Sequence, residues 1–301
     1  MGPHDTINLV IISTAAISIL AIIFGLGLAI ASKVFAIDTD PRVDKVLENL
    51  PGANCGACGT AGCSSLAEAI VKGEKPIDAC PVITPEARKI IGDVMGVNVV
   101  QKERSVAVLL CNGGNSVGEK HRYSGVPDCQ AAALLHGGYK LCDYGCLGLG
   151  TCSEACPFEA IMMGDDGLPE VLEERCKACG KCVEACPKGL FVIQPLSKAV
   201  HVRCKSCDKG AYTKKVCPAG CIGCKKCEKE CPVQAIKVDN FLARIDYGKC
   251  IACGKCAKVC PQGTIADFRK ARKSGVPIPS AVAFTAKETA GSGQAGGEVT
   301  A

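Results

Sequence analysis

The chain has 301 residues, enough for two or three domains, yet its 25 cysteines stand beside only 5 Tyr, 7 Phe and no Trp. So few aromatic side chains argue against a large hydrophobic core in any one domain. The formal net charge of +5 counts every cysteine as neutral, so it is no evidence for nucleic acid as a partner.

An apolar stretch without charge lies near the start of the chain, at residues 7–31. As a helix it is about 37 Å long, enough to cross the roughly 30 Å hydrocarbon core of a membrane. A signal peptide, the alternative, has a shorter apolar region with basic residues ahead of it, whereas here Lys33, Arg42 and Lys45 follow. The positive-inside rule therefore predicts a retained single-pass anchor at residues 1–33, in the inner (plasma) membrane, with the rest of the chain in the cytoplasm.

Four cysteines of the next predicted domain, residues 34–96, have the spacing Cys-x2-Cys-x4-Cys with a distant Cys–Pro. They are Cys55, Cys58, Cys63 and Cys80. We interpret them as the ligands of one [4Fe–4S] cluster, with a zinc knuckle as the alternative.

Local signals also predict helices and a strand in this region. Ser65 and Glu68 predict a capping box at the start of a short helix, and Thr84–Pro85 predicts the start of a second helix, ending near Met95. In the connecting segment, 97–141, residues 105–110 predict a strand and residues 130–136 a short helix.

Beyond this segment one cysteine run recurs three times: four cysteines spaced x2, x2 and x3 and followed by proline. The runs are Cys176, Cys179, Cys182 and Cys186; Cys221, Cys224, Cys227 and Cys231; and Cys250, Cys253, Cys256 and Cys260. This spacing holds [4Fe–4S] clusters in bacterial two-cluster ferredoxins, in which the fourth cysteine ligates the neighbouring cluster. Disulfides are disfavoured in the cytoplasm, and a zinc knuckle does not need the third and fourth cysteines.

A looser fourth run precedes these three, and Leu149 stands where its middle thiol belongs. We therefore predict that Cys142 supplies the missing ligand. Four runs make two ferredoxin-like modules with two clusters each, at residues 142–196 and 218–275. Cross-ligation predicts four sets: Cys142, Cys146, Cys152 and Cys186; Cys156, Cys176, Cys179 and Cys182; Cys221, Cys224, Cys227 and Cys260; and Cys231, Cys250, Cys253 and Cys256.

A basic insert at residues 197–217 carries Cys204, Cys207 and Cys217. With Cys111 or Cys129 as a fourth ligand, these thiols suggest a sixth cluster, and the alternatives are small buried residues or a zinc knuckle. From residue 203 to residue 231, eight basic residues face three acidic ones, which favours a solvated face or a docking surface for an acidic carrier protein. The tail, 276–301, is predicted to be disordered.

The predicted fold class is α+β: a single N-terminal transmembrane helix, a small [4Fe–4S] domain and two ferredoxin-like 2[4Fe–4S] modules. Five clusters are expected, and a sixth stays open. A [4Fe–4S]²⁺ core with four thiolates carries about −2, so five clusters change the net charge to roughly −5. The sequence lacks nucleotide-binding motifs and acid–base constellations, which predicts one-electron transfer without a complete active site.

Two sequence blocks resemble the B subunit of the Rnf complex, a membrane ferredoxin:NAD⁺ oxidoreductase that couples electron transfer to Na⁺ or H⁺ movement. They are LPGANCGACGTAGC (Leu50–Cys63), with Cys80–Pro81 downstream, and YGCLGLGTCSEACPF (Tyr144–Phe158). The resemblance, to the longer form of this subunit, implies that the chain accepts electrons from reduced ferredoxin and relays them toward flavin-carrying partner subunits. An electron-transfer subunit of a non-pumping membrane complex that reduces a redox-sensing regulator is the alternative.

Overall fold

The first helix of the chain contains the predicted anchor. The computed structural model describes residues 3–34, 40–99 and 103–274, and the tail predicted to be disordered lies outside them. Helix α1 (Pro3–Val34) extends past the 7–31 stretch on both sides. Its segment Ile11–Lys33 has a mean hydropathy of 2.4 and is not buried in the protein. Among the described residues, this is the one helix that is long and apolar enough to cross a membrane.

Three helices form the small domain that follows: α2 (Pro41–Asn49), α3 (Cys63–Val71) and α4 (Pro85–Met95). Helix α2 packs against both others. Val46, Leu66, Ile70 and Ile91 form the centre of its core, where none is more than 2% exposed. The domain is therefore a small helical unit with its own core.

Helix α4 begins as its sequence predicts. Thr84 accepts a hydrogen bond from the Ala87 amide (3.2 Å), and Pro85 occupies the first turn. Gly96 ends the helix in the left-handed conformation, with a φ of 67°. The predicted start and end of this helix are both confirmed.

The predicted capping box at Ser65 and Glu68 is wrong. With Ser65 as its N-cap the helix would begin at Leu66, whereas α3 begins three residues earlier, at Cys63, and has no side-chain cap from Gly62. Instead the Asn54 side chain accepts a hydrogen bond from the Cys63 amide (2.8 Å). Asn54, from the cysteine loop, thus satisfies a backbone amide at the start of the helix, as a capping serine would have done.

The first ferredoxin-like module consists of two antiparallel strand pairs with short helices. Strand β1 (Ser105–Leu109) pairs with β4 (Phe191–Pro195), and β2 (Ile161–Met163) pairs with β3 (Pro169–Val171). Its helices are α5 (Cys129–Leu134), α6 (Thr151–Glu154) and α7 (Lys181–Ala185). The strand and helix predicted in the connecting segment exist within two residues of their predicted ends. Because β1 pairs with β4, that segment is built into the module.

The second module repeats this plan. Strand β5 (Val200–Val202) pairs with β8 (Ile265–Asp267), and β6 (Ile236–Asp239) pairs with β7 (Leu242–Ile245), both antiparallel. Its helices are α8 (Gly210–Val216), α9 (Lys226–Lys229), α10 (Lys255–Lys258) and α11 (Arg269–Ser274). The predicted insert supplies β5 and α8, so it too belongs to a module.

Contacts at the end of the second module join it to the first. Arg272 of α11 donates to the Glu173 carboxylate (2.7 Å), and the two side chains are 15% and 18% exposed. Phe268, just before α11, packs into the core of the first module. Helices and two-stranded antiparallel sheets together give the predicted α+β fold.

Candidate iron–sulfur centres

The four cysteines of the small domain lie around the start of α3. Cys63 is the first residue of the helix, while Cys55 and Cys58 lie on the preceding loop, where Gly56 turns the backbone with a φ of 67°. Burial, together with the nearby thiols of Cys58 and Cys55, raises the pKa of Cys80. Such a thiol loses its proton when a metal binds the thiolate, so the set fits a thiolate-bound cluster.

The second module brings its eight cysteines together in two sets that match the predicted pairing. In each set three cysteines come from one loop and the fourth from the other loop. One cavity is lined by Cys221, Cys224, Cys227 and Cys260, and another by Cys231, Cys250, Cys253 and Cys256. The Ala235 amide donates to Cys231 Sγ (3.2 Å). Amides aimed at sulfur stabilise the charge of a bound thiolate.

The first module gathers Cys156, Cys176, Cys179 and Cys182. Burial, followed by the thiols of Cys176 and Cys179, raises the pKa of Cys182 to about 12. The Ala107 amide of β1 donates to Cys176 Sγ (3.4 Å). The strand contributed by the connecting segment therefore supports this cysteine set directly.

The remaining set of the first module differs from the prediction in one member. Its cavity is lined by Cys146, Cys152 and Cys186, as expected, but the fourth cysteine is Cys129. Burial, followed by the thiols of Cys129 and Cys186, raises the pKa of Cys152 to about 12. Cys142 lines a different cavity, so the structure corrects its predicted placement.

Helix α5 explains why Cys129 reaches this cavity. Asp128 caps the helix by accepting from the Ala131 amide (2.8 Å), and its second oxygen accepts from the Thr151 hydroxyl (2.8 Å). The Thr151 oxygen in turn accepts from the Cys129 amide (2.7 Å). Because Thr151 precedes Cys152 in α6, this network holds the two cysteines side by side. The sequence signal was the N-cap Asp128, since Cys129 has no regular spacing from the other ligands.

Five of the 25 cysteines belong to none of these sets, and four of the five line one further cavity. These four are Cys111, Cys142, Cys204 and Cys217. Cys111 follows β1 of the first module and Cys204 follows β5 of the second. The cavity therefore lies between the two modules.

The arrangement of the thiols also bears on disulfides and zinc. All 25 cysteines are free, and no three Cys, His or acidic side chains in the described ranges lie close enough to bind one metal ion. A zinc ion draws its thiolates to about 2.3 Å from a single centre. The thiolates of a [4Fe–4S] cube bind four different irons and so lie farther apart than thiolates around one zinc ion.

The chain is similar over most of its length to B subunits of ion-translocating oxidoreductase complexes. It is 49% identical over 244 residues to the B subunit of the ion-translocating oxidoreductase complex of Methanosarcina acetivorans, covering 79% of this chain and 92% of that one. Identity is 44% over 244 residues to the B subunit of the Na⁺-translocating ferredoxin:NAD⁺ oxidoreductase complex of Acetobacterium woodii, with 81% and 73% covered. It is 42% over 241 residues to the B subunit of the proton-translocating ferredoxin:NAD⁺ oxidoreductase complex of Clostridium ljungdahlii, with 79% and 85% covered. The chain belongs to the family of Rnf B subunits.

Family models divide this Rnf B-family chain into three parts. A model described as a putative Fe-S cluster matches residues 50–82, and models described as 4Fe-4S dicluster domains match residues 144–191 and 220–264. The chain is thus an iron–sulfur electron-transfer subunit of an ion-translocating oxidoreductase complex. Six cysteines lie outside all three matches: Cys111, Cys129, Cys142, Cys204, Cys207 and Cys217.

Proposed function

We propose that this subunit receives electrons from reduced ferredoxin and passes them toward flavin-carrying partner subunits, in a complex that moves Na⁺ or H⁺ and reduces NAD⁺. The observation that carries the proposal is the grouping of cysteines in both modules and in the small domain next to the anchor. Bound [4Fe–4S] clusters supply one-electron transfer, and the residues of the chain position and shield them. Lys33, Arg42 and Lys45 follow the apolar segment, which favours a cytoplasmic position for the cysteine domains.

Five clusters follow from the cysteine sets, each with four ligands. The ligand sets are Cys55, Cys58, Cys63 and Cys80; Cys129, Cys146, Cys152 and Cys186; Cys156, Cys176, Cys179 and Cys182; Cys221, Cys224, Cys227 and Cys260; and Cys231, Cys250, Cys253 and Cys256.

The two cysteine sets of the first module lie close to each other, and one of them lies close to the small domain. In the first module, Cys152 adds to the burial that raises the pKa of Cys182. At the boundary with the small domain, Cys55 adds to the burial that raises the pKa of Cys179. The first module is therefore adjacent to the domain that follows the anchor, and Cys179 packs against the core of that domain.

Cys224 marks the input site for ferredoxin. Of the 25 cysteines, all of which the structure describes, Cys224 alone is exposed. Lys225, Lys226 and Lys229 follow it and are exposed as well. This basic surface complements an acidic carrier, and complementary charge speeds the encounter of two proteins.

The double variant Lys225→Glu/Lys226→Glu tests this input site. We expect its second-order rate constant for reduction by reduced ferredoxin to fall roughly tenfold at low salt, because electrostatic steering changes on-rates by about 10- to 1,000-fold. The rate is measured by anaerobic stopped-flow absorbance on the assembled complex, over a range of salt concentrations.

Lys72→Glu/Lys89→Glu is the matched control, since it changes the net charge equally at two exposed lysines of the small domain. It should react at close to the wild-type rate, and dithionite should reduce all three proteins to the same extent. Equal rates for wild type and Lys225→Glu/Lys226→Glu, or equal losses in both variants, would contradict input at Cys224.

A further inference from the structure

Four thiols outside the five sets, Cys111, Cys142, Cys204 and Cys217, line one cavity, here called the inter-module cavity. Cys146 lines it too, but Cys146 belongs to the set with Cys129, Cys152 and Cys186. Cys111 and Cys142 come from the first module and its attached segment. Cys204 and Cys217 come from the stretch built into the second module. All four lie outside the regions that the family models match. Only the three-dimensional structure therefore shows that they lie around one cavity.

The four thiols face one space and are shielded from solvent. All four line the inter-module cavity. Cys142 packs against the buried cluster that contains Val117, Val216 and Cys217. Cys111 and Cys217 are 7% and 8% exposed. The cavity therefore brings together four shielded thiols, which is the number that a [4Fe–4S] cluster needs.

The inter-module cavity is at least as spacious as the neighbouring sites. Its volume is about 30 Å³, compared with about 20 Å³ for each of three cavities lined by the cluster ligands of the modules. Gly113 lies in the wall of the cavity at a position where a side chain would crowd its neighbours. A Cβ atom there would lie 3.1 Å from Cys217 Sγ and 2.7 Å from Val117.

Two buried cations line the same cavity. Arg203 and Lys140 are 3% and 5% exposed, and Lys140 Nζ donates to the Gly114 carbonyl (2.9 Å). A guanidinium stays protonated at neutral pH. A [4Fe–4S]²⁺ core with four thiolates carries about −2. Burial of that charge is costly without compensation, and these two cations provide it.

We propose that the inter-module cavity holds a sixth [4Fe–4S] cluster, ligated by Cys111, Cys142, Cys204 and Cys217, which connects the two modules. The Cys221 amide, at a ligand of the second module, donates to Cys204 Sγ (3.4 Å). The Cys146 amide, at a ligand of the first, donates to Cys111 Sγ (3.5 Å). The connecting role rests on the proposed electron path, whereas the site itself does not.

The sequence offered either Cys111 or Cys129 as a ligand of the sixth cluster, and the structure favours Cys111. Cys207 is not part of the proposed ligand set. Cys207 does not line the cavity, and its thiol donates weakly to the Lys205 carbonyl (3.8 Å). A half-buried cysteine so close to Cys204 provides a matched control.

The iron and zinc contents of the anaerobically purified full-length protein test the proposal without any variant. Six four-iron clusters give about 24 iron atoms per chain, whereas five give about 20. We expect about 24 iron atoms and no stoichiometric zinc. An iron content of about 20, or one zinc per chain, overturns the sixth cluster.

Cysteine variants test the ligands. Cys111→Ala and Cys217→Ala should each lose about four iron atoms per chain and keep about 20, and the integrated EPR signal of the reduced protein should fall in proportion. Cys207→Ala should keep the wild-type content. Full iron in Cys111→Ala and Cys217→Ala, or a loss in Cys207→Ala, contradicts the ligand set. If a variant does not fold, the wild-type count decides.

These measurements are independent of ferredoxin. A protein with about 24 iron atoms per chain that ferredoxin does not reduce would overturn the proposed function and leave the sixth site intact.

Discussion

Arg203 illustrates how a single residue can set the charge of a site. It lies next to Cys204 in sequence, is 3% exposed and lines the inter-module cavity. Its pKa, lowered by burial to about 10, still leaves it protonated at neutral pH. A fixed positive charge favours the more negative, reduced form of a nearby cluster. Arg203 should therefore raise the midpoint potential of a cluster in this cavity.

Arg203→Gln should lower that midpoint potential by roughly 50–90 mV, which corresponds to about 1–2 kcal/mol of lost charge interaction for one electron. The measurement is an EPR-monitored redox titration, with the signals of the other clusters as internal references. Arg203→Lys keeps the charge and should restore most of the potential. A potential that stays the same in Arg203→Gln would show that the guanidinium does not act on this site.

Regular spacing made most ligand positions predictable from the sequence. In the x2-x2-x3 runs of the second module, the first three cysteines share one loop, and the structure groups them together. The cysteine before proline joins the set of the other loop, as in two-cluster ferredoxins. The prediction put Cys142 in the set with Cys146, Cys152 and Cys186, whereas the structure has Cys129 in that set. The prediction missed this because the positions of Cys129 and Cys142 depend on tertiary contacts. Asp128 and Thr151 hold Cys129 in the first module, and no local spacing encodes that contact.

Among the elements, α5 places Cys129 in the cavity that Cys146, Cys152 and Cys186 also line. The helix spans Cys129–Leu134 and is too short to be stable alone. Its first turn depends on Asp128, which bonds both the helix and Thr151. The position of Cys129 should therefore depend on this carboxylate.

Asp128→Ala should release about four iron atoms per chain faster than the wild type, because one cluster loses its ordered ligand. Iron release to a chelator under anaerobic conditions gives the rate and the number of atoms in the fast phase. Asp128→Asn retains one N-cap oxygen but loses the acceptor for the Thr151 hydroxyl, so its rate of iron release should lie between those of Asp128→Ala and the wild type. If Asp128→Ala and the wild type release iron alike, the network does not position the ligand.

Some helix ends can be predicted from the local sequence, whereas the strand pairings cannot. Thr84 and Pro85 place the start of α4 correctly because the cap lies within the same few residues. The start of α3 depends on Asn54 from the cysteine loop, so the nearby Ser65 misled the prediction. Strand β1 could be predicted, but not its pairing with β4, which joins Ser105 to Pro195. Local signals thus define elements, whereas long-range pairing defines the modules.

In the whole molecule, the five segments predicted between the anchor and the tail form three structural parts: the small domain and the two modules. The strand pairings β1–β4 and β5–β8 are the reason. The segments predicted as a linker and an insert supply β1 and β5, and both strands complete a module. The same two segments carry Cys111 and Cys204. The inter-module cavity therefore exists because the segments between the regular runs fold into the modules.

The anchor is separate from this arrangement of cysteines, and that separation leads to a prediction about the whole chain. Deleting residues 1–32 should release the protein from the membrane and leave its iron content unchanged. No cysteine lies in the deleted part, and the apolar segment of α1 is not buried against the described protein. Ultracentrifugation of cell extracts, with iron determined in both fractions, gives the result. The truncated chain should be in the supernatant and the full-length chain in the membrane pellet. Loss of iron from the truncated chain would show that α1 supports the clusters, and a truncated chain that stays in the pellet would place a second membrane contact elsewhere in the molecule.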